Sequence, residues 1–158
     1  EYADGVHSRR DLPGVLALGV SKDINKWTLS GGYTHYFNRT AKMDRFKYDD
    51  GYEINFGADY KINEKFTWHA GFNYANTGAK KESFSDVEFA INSQIYATGI
   101  TYKPTDASEW KFGIAHVNYN SSNGKREKTS LPGIYIDKSK VKYDKSINVF
   151  TLGYTHKF

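Results

Sequence analysis

The sequence of 158 residues has no cysteine, one methionine and three prolines. Without cysteine, the chain can form neither a disulfide framework nor a thiolate metal site. It also has no run of 18 apolar residues, so the sequence predicts no transmembrane helix. These absences exclude certain chemistries and one mode of membrane insertion, but they do not assign a compartment.

A strong excess of charge is missing as well, since 22 Lys+Arg stand against 18 Asp+Glu, a formal net charge of +4. The basic residues are scattered through turns and loops, which does not indicate a nucleic-acid partner. The mean hydropathy of −0.70 is typical of a soluble protein. Alternating strands of a membrane barrel average to a similarly polar value, so hydropathy does not decide between the two.

Tyrosine, phenylalanine and glycine are abundant, with 13, 10 and 14 copies. In outer-membrane barrels, amphipathic aromatic rings lie at the membrane interfaces, and glycine allows curved strands to close. The composition therefore fits a barrel, and the pattern along the chain has to test this.

Apolar residues alternate with small or polar ones in seven segments, which is the pattern of half-buried β-strands. The clearest is 52–62, where apolar residues such as Ile54 alternate with polar residues such as Glu53. In the sixth segment the apolar phase changes near Ala115-His116, which predicts a β-bulge. The predicted strands are 12–22, 27–38, 52–62, 66–75, 93–103, 109–120 and 147–158.

The connections between these segments alternate strictly in length. Those at 22–25, 62–65 and 104–108 are short, and those at 39–50, 76–92 and 121–146 are long, charged and irregular in pattern. In an up-and-down meander, all short turns then lie at one rim and all long loops at the other. Outer-membrane barrels have short periplasmic turns and long extracellular loops. The sequence thus predicts an all-β, antiparallel, up-and-down transmembrane β-barrel in the bacterial outer membrane.

A soluble barrel or sandwich would show the same alternation, and a lipocalin-like carrier is one alternative. In a soluble barrel, however, many Tyr and Trp side chains would need hydrogen-bond partners in a small core. Here the other face of the strands is polar, as a wet lumen would be. Aromatic residues such as Trp27, Phe66 and Trp110 also cluster beside the short turns. An aromatic girdle at the periplasmic interface explains this clustering.

The segment 147–158 has the pattern of the last strand of such a barrel. Phe150, Leu152 and Tyr154 share one face, in phase with Phe158. Aromatic residues spaced in this way look like the C-terminal signal that the barrel-assembly machinery recognises. We interpret these four residues as an assembly signal and the machinery as a partner.

Several elements of the sequence occur in an order typical of one family. They are RDLPGVLALGV at 10–20, KWTLSGGYTHYF at 26–37, GYEINFG at 51–57, AGFNYANTG at 70–78 and FSDVEFA at 84–90. The chain thereby resembles the FadL/TodX family of bacterial outer-membrane transporters of long-chain fatty acids and aromatic hydrocarbons. The resemblance implies passive transport of hydrophobic molecules such as long-chain fatty acids, without a cofactor. The alternative function is a small structural or adhesive barrel that acts through its extracellular loops.

The family's barrel has about 14 strands and an N-terminal hatch, and the seven strands match only its C-terminal half. We expect residues 1–158 to form a single β-barrel domain or half-barrel, with 1–11 as an extracellular loop remnant. A second chain or an N-terminal half would then close the barrel. Alternatively, 1–11 supply an eighth strand and the chain closes alone. Some closure is required, because unpaired strand edges are costly in hydrocarbon.

The candidate lumen-lining residues fall into two groups. The polar group on the third and fourth strands could line a path or bind a polar group of a ligand, or form a polar network that holds the barrel interior; it comprises Glu53, Asn55, Asp59, His69 and Asn73. The apolar group, in keeping with the hydrophobic ligands of the family, comprises Val15, Ala17 and Val149.

No catalytic or metal site is indicated. The five histidines show no metal-ligand spacing, and no nucleophile–base arrangement stands out, since Ser30 and Ser93 have no associated histidine or aspartate in the sequence. We therefore predict that the protein is not an enzyme and binds no metal.

The loop 125–143 is basic, and its part 132–143 alternates again. Strand extensions whose lysines contact lipopolysaccharide phosphates would explain this pattern, and so would an ordinary solvated loop. The expected partners are therefore outer-membrane lipid and lipopolysaccharide, besides a hydrophobic small-molecule ligand.

Overall fold

The structure, a computed structural model, describes residues 11–41, 48–80, 84, 90–129 and 136–157. These residues form nine β-strands and a 3-10 turn at Asn38–Thr40. The strands are β1 (Gly14–Ile24), β2 (Trp27–Phe37), β3 (Gly51–Lys61), β4 (Phe66–Asn76), β5 (Ser93–Thr105), β6 (Ser108–Tyr119), β7 (Ser122–Thr129), β8 (Ile136–Tyr143) and β9 (Ser146–His156). No helix in this part of the chain is both long and apolar enough to cross a membrane.

Seven strands form one antiparallel sheet in the order β1-β2-β3-β4-β5-β6-β9, and β7 and β8 form a separate two-stranded sheet. Within the described residues, β1 and β9 are the edges of the larger sheet, since each pairs with one neighbour. The predicted all-β meander of about seven strands is confirmed. The open sheet is consistent with half of a larger barrel.

Short turns join the strands at one end of the sheet. Asn25 and Lys26 connect β1 to β2, and Asn25 has φ of 55°, which asparagine adopts more readily than most residues. After β3, the Asn63 side-chain oxygen accepts hydrogen bonds of 2.9 Å from the backbone N–H groups of Lys65 and Phe66. The side chain thus supplies partners that the turn backbone lacks. The long connections lie at the opposite end.

The two faces of the large sheet differ in chemistry. Large apolar side chains occupy one face, which we call the outer face; Val20 and Phe150 there are 74% and 81% exposed. Among the described residues, the buried apolar side chains are Ile91, Val117 and Tyr143. A soluble domain would bury more of its large apolar residues, whereas a broad exposed apolar face marks contact with a membrane or a partner. The outer face therefore favours the membrane interpretation.

The predicted bulge near Ala115-His116 is wrong. Both residues pair in register with Ala97 and Tyr96, and the irregularity between β5 and β6 lies near Thr105. The apolar phase changes because the outer face becomes polar at His116, where the strand leaves the apolar band. No extra residue is needed to explain it.

The connection 121–146 contains regular structure, contrary to the expectation of an irregular loop. β7 and β8 pair continuously from Ser122↔Tyr143 to Thr129↔Ile136. The alternation of 132–143 therefore does reflect a strand extension over Ile136–Tyr143, while 130–135 lie outside the described residues.

A cluster of backbone contacts joins the long loops that follow β2 and β4. The Asn38 side-chain amide donates to the carbonyl oxygens of Asp49 and Thr77, both at 3.1 Å. The Asp49 N–H donates to the Gly78 carbonyl oxygen at 2.7 Å. Gly78 has φ of 69°, and a Cβ atom at this position would collide with the Asp49 carbonyl oxygen. Only glycine fits here.

Charge also joins these loops. The Asp49 carboxylate lies 3.1 Å from the Arg39 guanidinium and 3.2 Å from the Lys80 ammonium. Hydrogen bonds from Lys80 and from Arg39 lower the pKa of Asp49 below its ordinary value. A lowered pKa contributes stability above the ordinary carboxyl value and loses it as the pH falls through the lowered value.

We therefore expect the Asp49 backbone amide to lose protection as the pH falls below the ordinary carboxyl range, because protonated Asp49 no longer attracts its two cations. The effect is small, since exposed ion pairs contribute little. Hydrogen exchange of the detergent-solubilised protein, corrected for intrinsic pH dependence, would measure it. The variant Asp49→Asn should lack this step, and a step of equal size in the variant would contradict the assignment.

Candidate functional site

The polar face of the large sheet, which we call the inner face, carries the predicted lumen residues. Directly paired residues form rows that cross all seven strands. One of them, which we call the small-residue row, consists of Ser21, Ser30, Gly57, Gly71, Ala97, Ala115 and Val149. All but Val149 have short side chains, so the sheet backbone is accessible along this row.

A depression of about 400 Å³ lies along the small-residue row where β4, β5, β6 and β9 meet. Its lining includes Gly71, Ala97, Gly99 and Ala115. A Cβ atom at Gly99 would lie 2.6 Å from the Phe112 carbonyl oxygen, so the neighbouring strand leaves no room for a side chain. Glycine and alanine make up much of the lining, beside His69 and Thr151, so the sheet backbone is accessible at the depression.

Glu53 is held by a polar cluster on one side of this row. The Tyr36 hydroxyl donates to Glu53 Oε1 at 3.0 Å, and the Asn73 amide donates to Oε2 at 3.3 Å. Asn55 lies opposite Asn73 in the register. Both carboxylate oxygens therefore already have partners within the sheet.

A second cluster, on the other side, is built on His69. His69 Nδ1 lies 2.7 Å from Asp59 Oδ1, and Nε2 lies 2.7 Å from the Thr101 hydroxyl oxygen. An ionised carboxylate only accepts, so Nδ1 carries the proton, and in the neutral ring Nε2 accepts from Thr101. The Asp59 carboxylate thus has a hydrogen-bond donor within the sheet.

These residue types also occur in nucleophilic triads. Thr101, however, is 5% exposed, so a substrate cannot reach its hydroxyl group. Within the described part of the chain, no group of His, Cys, Asp or Glu could hold a metal ion. We interpret the His69 cluster as a structural polar network.

An apolar patch lies on the inner face at β5, β6 and β9. Ile95 pairs with Val117, and Val117 pairs with Ile147, beside Val149 in the small-residue row. Ile95 and Ile147 are not among the predicted lumen residues. Counting in steps of two from Val149 would have found Ile147, because alternate residues of a strand share a face.

All eight predicted lumen-lining residues lie on the inner face. The polar five are neighbours on β3 and β4, where Glu53 contacts Asn73 and Asp59 contacts His69. The apolar three are not brought together, because β1, with Val15 and Ala17, and β9, with Val149, are at opposite edges of the sheet. Their roles in ligand binding stay predictions.

The predicted assembly residues lie on the outer face of β9. Phe150, Leu152 and Tyr154 are 81%, 68% and 53% exposed there. Phe158 lies outside the described residues. Recognition by assembly machinery stays a prediction.

Aromatic rings pack across strands on the outer face, next to the short turns. Trp27 contacts Tyr60 with ring centroids 4.6 Å apart, and Trp110 contacts Tyr154 at 4.5 Å. This placement is that of an aromatic girdle at a membrane interface.

Comparisons with solved structures show the same fold. A FadL homologue from Pseudomonas aeruginosa superposes with a TM-score of 0.72 at 16% identity, over 91% of this chain and 35% of that chain. The toluene transporter TodX of P. putida superposes with a TM-score of 0.63 at 14% identity, over 92% of this chain and 35% of that one. The chain therefore spans about a third of the length of both proteins. A search of curated protein sequences finds no match.

A family model gives the assignment. The model described as outer membrane protein transport protein (OMPP1/FadL/TodX) matches residues 16–158. The description is of transport, which confirms the prediction that the protein is not an enzyme. Since the match covers nearly the whole chain, the protein belongs to the OMPP1/FadL/TodX family of outer-membrane transport proteins.

Proposed function

We propose that the inner face forms part of the wall of a passage by which hydrophobic molecules, such as long-chain fatty acids, cross the bacterial outer membrane. The observation that carries this proposal is the small-residue row between two self-contained polar clusters. Glu53 is bound by Tyr36 and Asn73, and Asp59 by His69. These carboxylates keep their partners when an apolar molecule passes beside them.

Energetics also favour an apolar occupant. A hydrophobic molecule in the depression would cover glycine and alanine rather than unpaired charges, so little polar surface would lose its hydrogen bonds. The patch of Ile95, Val117, Ile147 and Val149 supplies apolar contact beside it. The passage works by diffusion down a gradient, and it requires no cofactor.

The passage also requires closure of the sheet. Among the residues that the structure describes, β1 and β9 each have one unpaired edge, whose backbone N–H and C=O groups hydrocarbon cannot satisfy. We propose that further strands, from an N-terminal segment or a second chain, pair with these edges and complete a barrel.

Native mass spectrometry of the protein, extracted in mild detergent from its own membrane, tests the proposal. We expect a mass of about twice 18.0 kDa or more, with a co-purified fatty acid or hydrocarbon identified in a solvent extract. A species of 18.0 kDa without a partner or ligand would mean a small self-closed barrel and would overturn the proposal. In that case the structural or adhesive alternative, acting through the long loops, would take its place.

A further inference from the structure

The net positive charge of the chain is concentrated in one connection. Residues 121–146 contain seven Lys/Arg and three Asp/Glu, a net charge of +4. The whole chain has 22 and 18, so the other residues have 15 of each and no net charge. The net positive charge of the chain therefore lies in the connection that contains β7 and β8.

The register of the hairpin places four lysines on one of its faces. Lys125 pairs directly with Lys140, and alternate residues of a strand share a face. The face, which we call the lysine face, contains Asn123, Lys125, Glu127, Lys138, Lys140 and Lys142. Like charges directly opposite each other destabilise a strand pair. An anion bound at the lysine face would remove this repulsion.

The face that contains Lys142 is turned away from the loop that contains Phe84. Tyr143, on the other face, is 9% exposed, and its ring packs edge-on against Phe84 at 5.5 Å. The Lys142 side chain is 64% exposed, and its ammonium lies 3.6 Å from an oxygen of the equally exposed Asp144. The base of the lysine face is therefore accessible from outside.

The hairpin also begins where the apolar band ends. On β6 and β9, the last outer-face pairs are the polar His116↔Asn148 and Asn118↔Ser146, just beyond Ile114↔Phe150. In a membrane-spanning sheet, the boundary of the hydrocarbon thus lies near these pairs. The base of the hairpin, where Ser122 pairs with Tyr143, follows within a few residues of this boundary.

We propose that the lysine face binds the phosphate groups of lipopolysaccharide in the outer leaflet. Lysine binds phosphate as a point charge, and rows of basic residues are attracted to anionic lipid surfaces. The long-loop end of the sheet is the extracellular end in outer-membrane barrels, where phosphates of lipopolysaccharide lie. The proposal rests on the outer-membrane location of the family and not on the transport of a ligand.

Binding of purified bisphosphorylated lipid A to the full protein in a neutral detergent tests the proposal. The variant Lys125→Gln/Lys138→Gln/Lys140→Gln/Lys142→Gln is expected to bind about tenfold more weakly or worse, because attraction to anionic lipid falls with each lysine removed. The matched control is Lys22→Gln/Lys61→Gln/Lys65→Gln/Lys157→Gln, which removes the same charge from exposed positions at the short-turn end. The control should bind as the unaltered protein does.

A second measurement needs no variant. The unaltered protein should bind bisphosphorylated lipid A several-fold more tightly than lipid A stripped of both phosphates, and added salt should weaken the binding. Equal affinity for the two forms, or for phosphatidylglycerol and lipid A, would overturn the proposal. So would an equal loss of affinity in the two quadruple variants, since that would show an effect of net charge alone.

Discussion

Replacement of Leu152 by arginine is expected to destabilise the protein in a bilayer by about 2–4 kcal/mol, the cost of a charge on the lipid face of a barrel near its midplane. Leu152 lies on the outer face of β9, midway between Phe150 beside the polar boundary and Tyr154 in the aromatic girdle. It is 68% exposed, and its cross-strand neighbour Phe112 is 48% exposed. An arginine here faces hydrocarbon with no partner. The change in the free energy of unfolding would be measured by equilibrium unfolding in guanidinium of the protein in lipid vesicles, monitored by tryptophan fluorescence.

The adjacent residue provides the control. Thr151 lies on the inner face, opposite Gly113, and its hydroxyl makes a long hydrogen bond of 3.3 Å to the Gly113 carbonyl oxygen. Thr151→Arg should cost about 1 kcal/mol or less, because its charge reaches water and one weak hydrogen bond is lost. Equal destabilisation by the two arginines would show that the faces of the sheet are wrongly assigned.

The variant Ala97→Trp is expected to reduce uptake of a hydrophobic ligand about tenfold or more while the protein remains folded, because passage through a pore depends on its width. Ala97 pairs with Gly71 and Ala115 in the small-residue row and lines the depression of about 400 Å³. An indole at this position would project from the small-residue row into the depression and narrow the proposed passage. The measurement is uptake of a radiolabelled long-chain fatty acid by cells that carry the protein.

Tyr96→Trp is the matched control, because Tyr96 precedes Ala97 on the same strand but lies on the outer face, where it is 51% exposed. This variant adds an indole to the lipid side and should transport normally. Normal uptake by folded Ala97→Trp would remove the small-residue row from the path and would weaken the proposed function.

The strands could be predicted closely because each has its own alternation. The prediction of 27–38 compares with Trp27–Phe37, and that of 66–75 with Phe66–Asn76. In both, the apolar and polar faces follow from a period of two residues, which is a local property. The same period placed all eight lumen candidates on one face.

Contacts between strands could not be predicted in this way. Two examples are the contact of Thr101 with His69 and the pairing of Ile95 with Val117. Both depend on the register between strands. Alternation within one strand shows which face a residue is on, but it does not show which residue lies opposite. The apparent bulge near Ala115 had the same origin, since a change of polarity at the end of the apolar band looks like a change of phase. Only the register with β5 distinguishes a change of polarity from a bulge.

The odd number of strands has a consequence for how the sheet can be closed. Neighbouring strands are antiparallel throughout, so β1 and β9, the first and seventh in the sheet, run in the same direction. Direct closure of β1 onto β9 would create a parallel seam, and a ring of two identical copies would contain two such seams. A partner that forms antiparallel pairs at both edges must contribute an odd number of strands, which makes the total even, as in bacterial single-chain barrels. The direction of the two edge strands thus favours a partner with an odd number of strands that forms antiparallel pairs over an identical copy in parallel orientation.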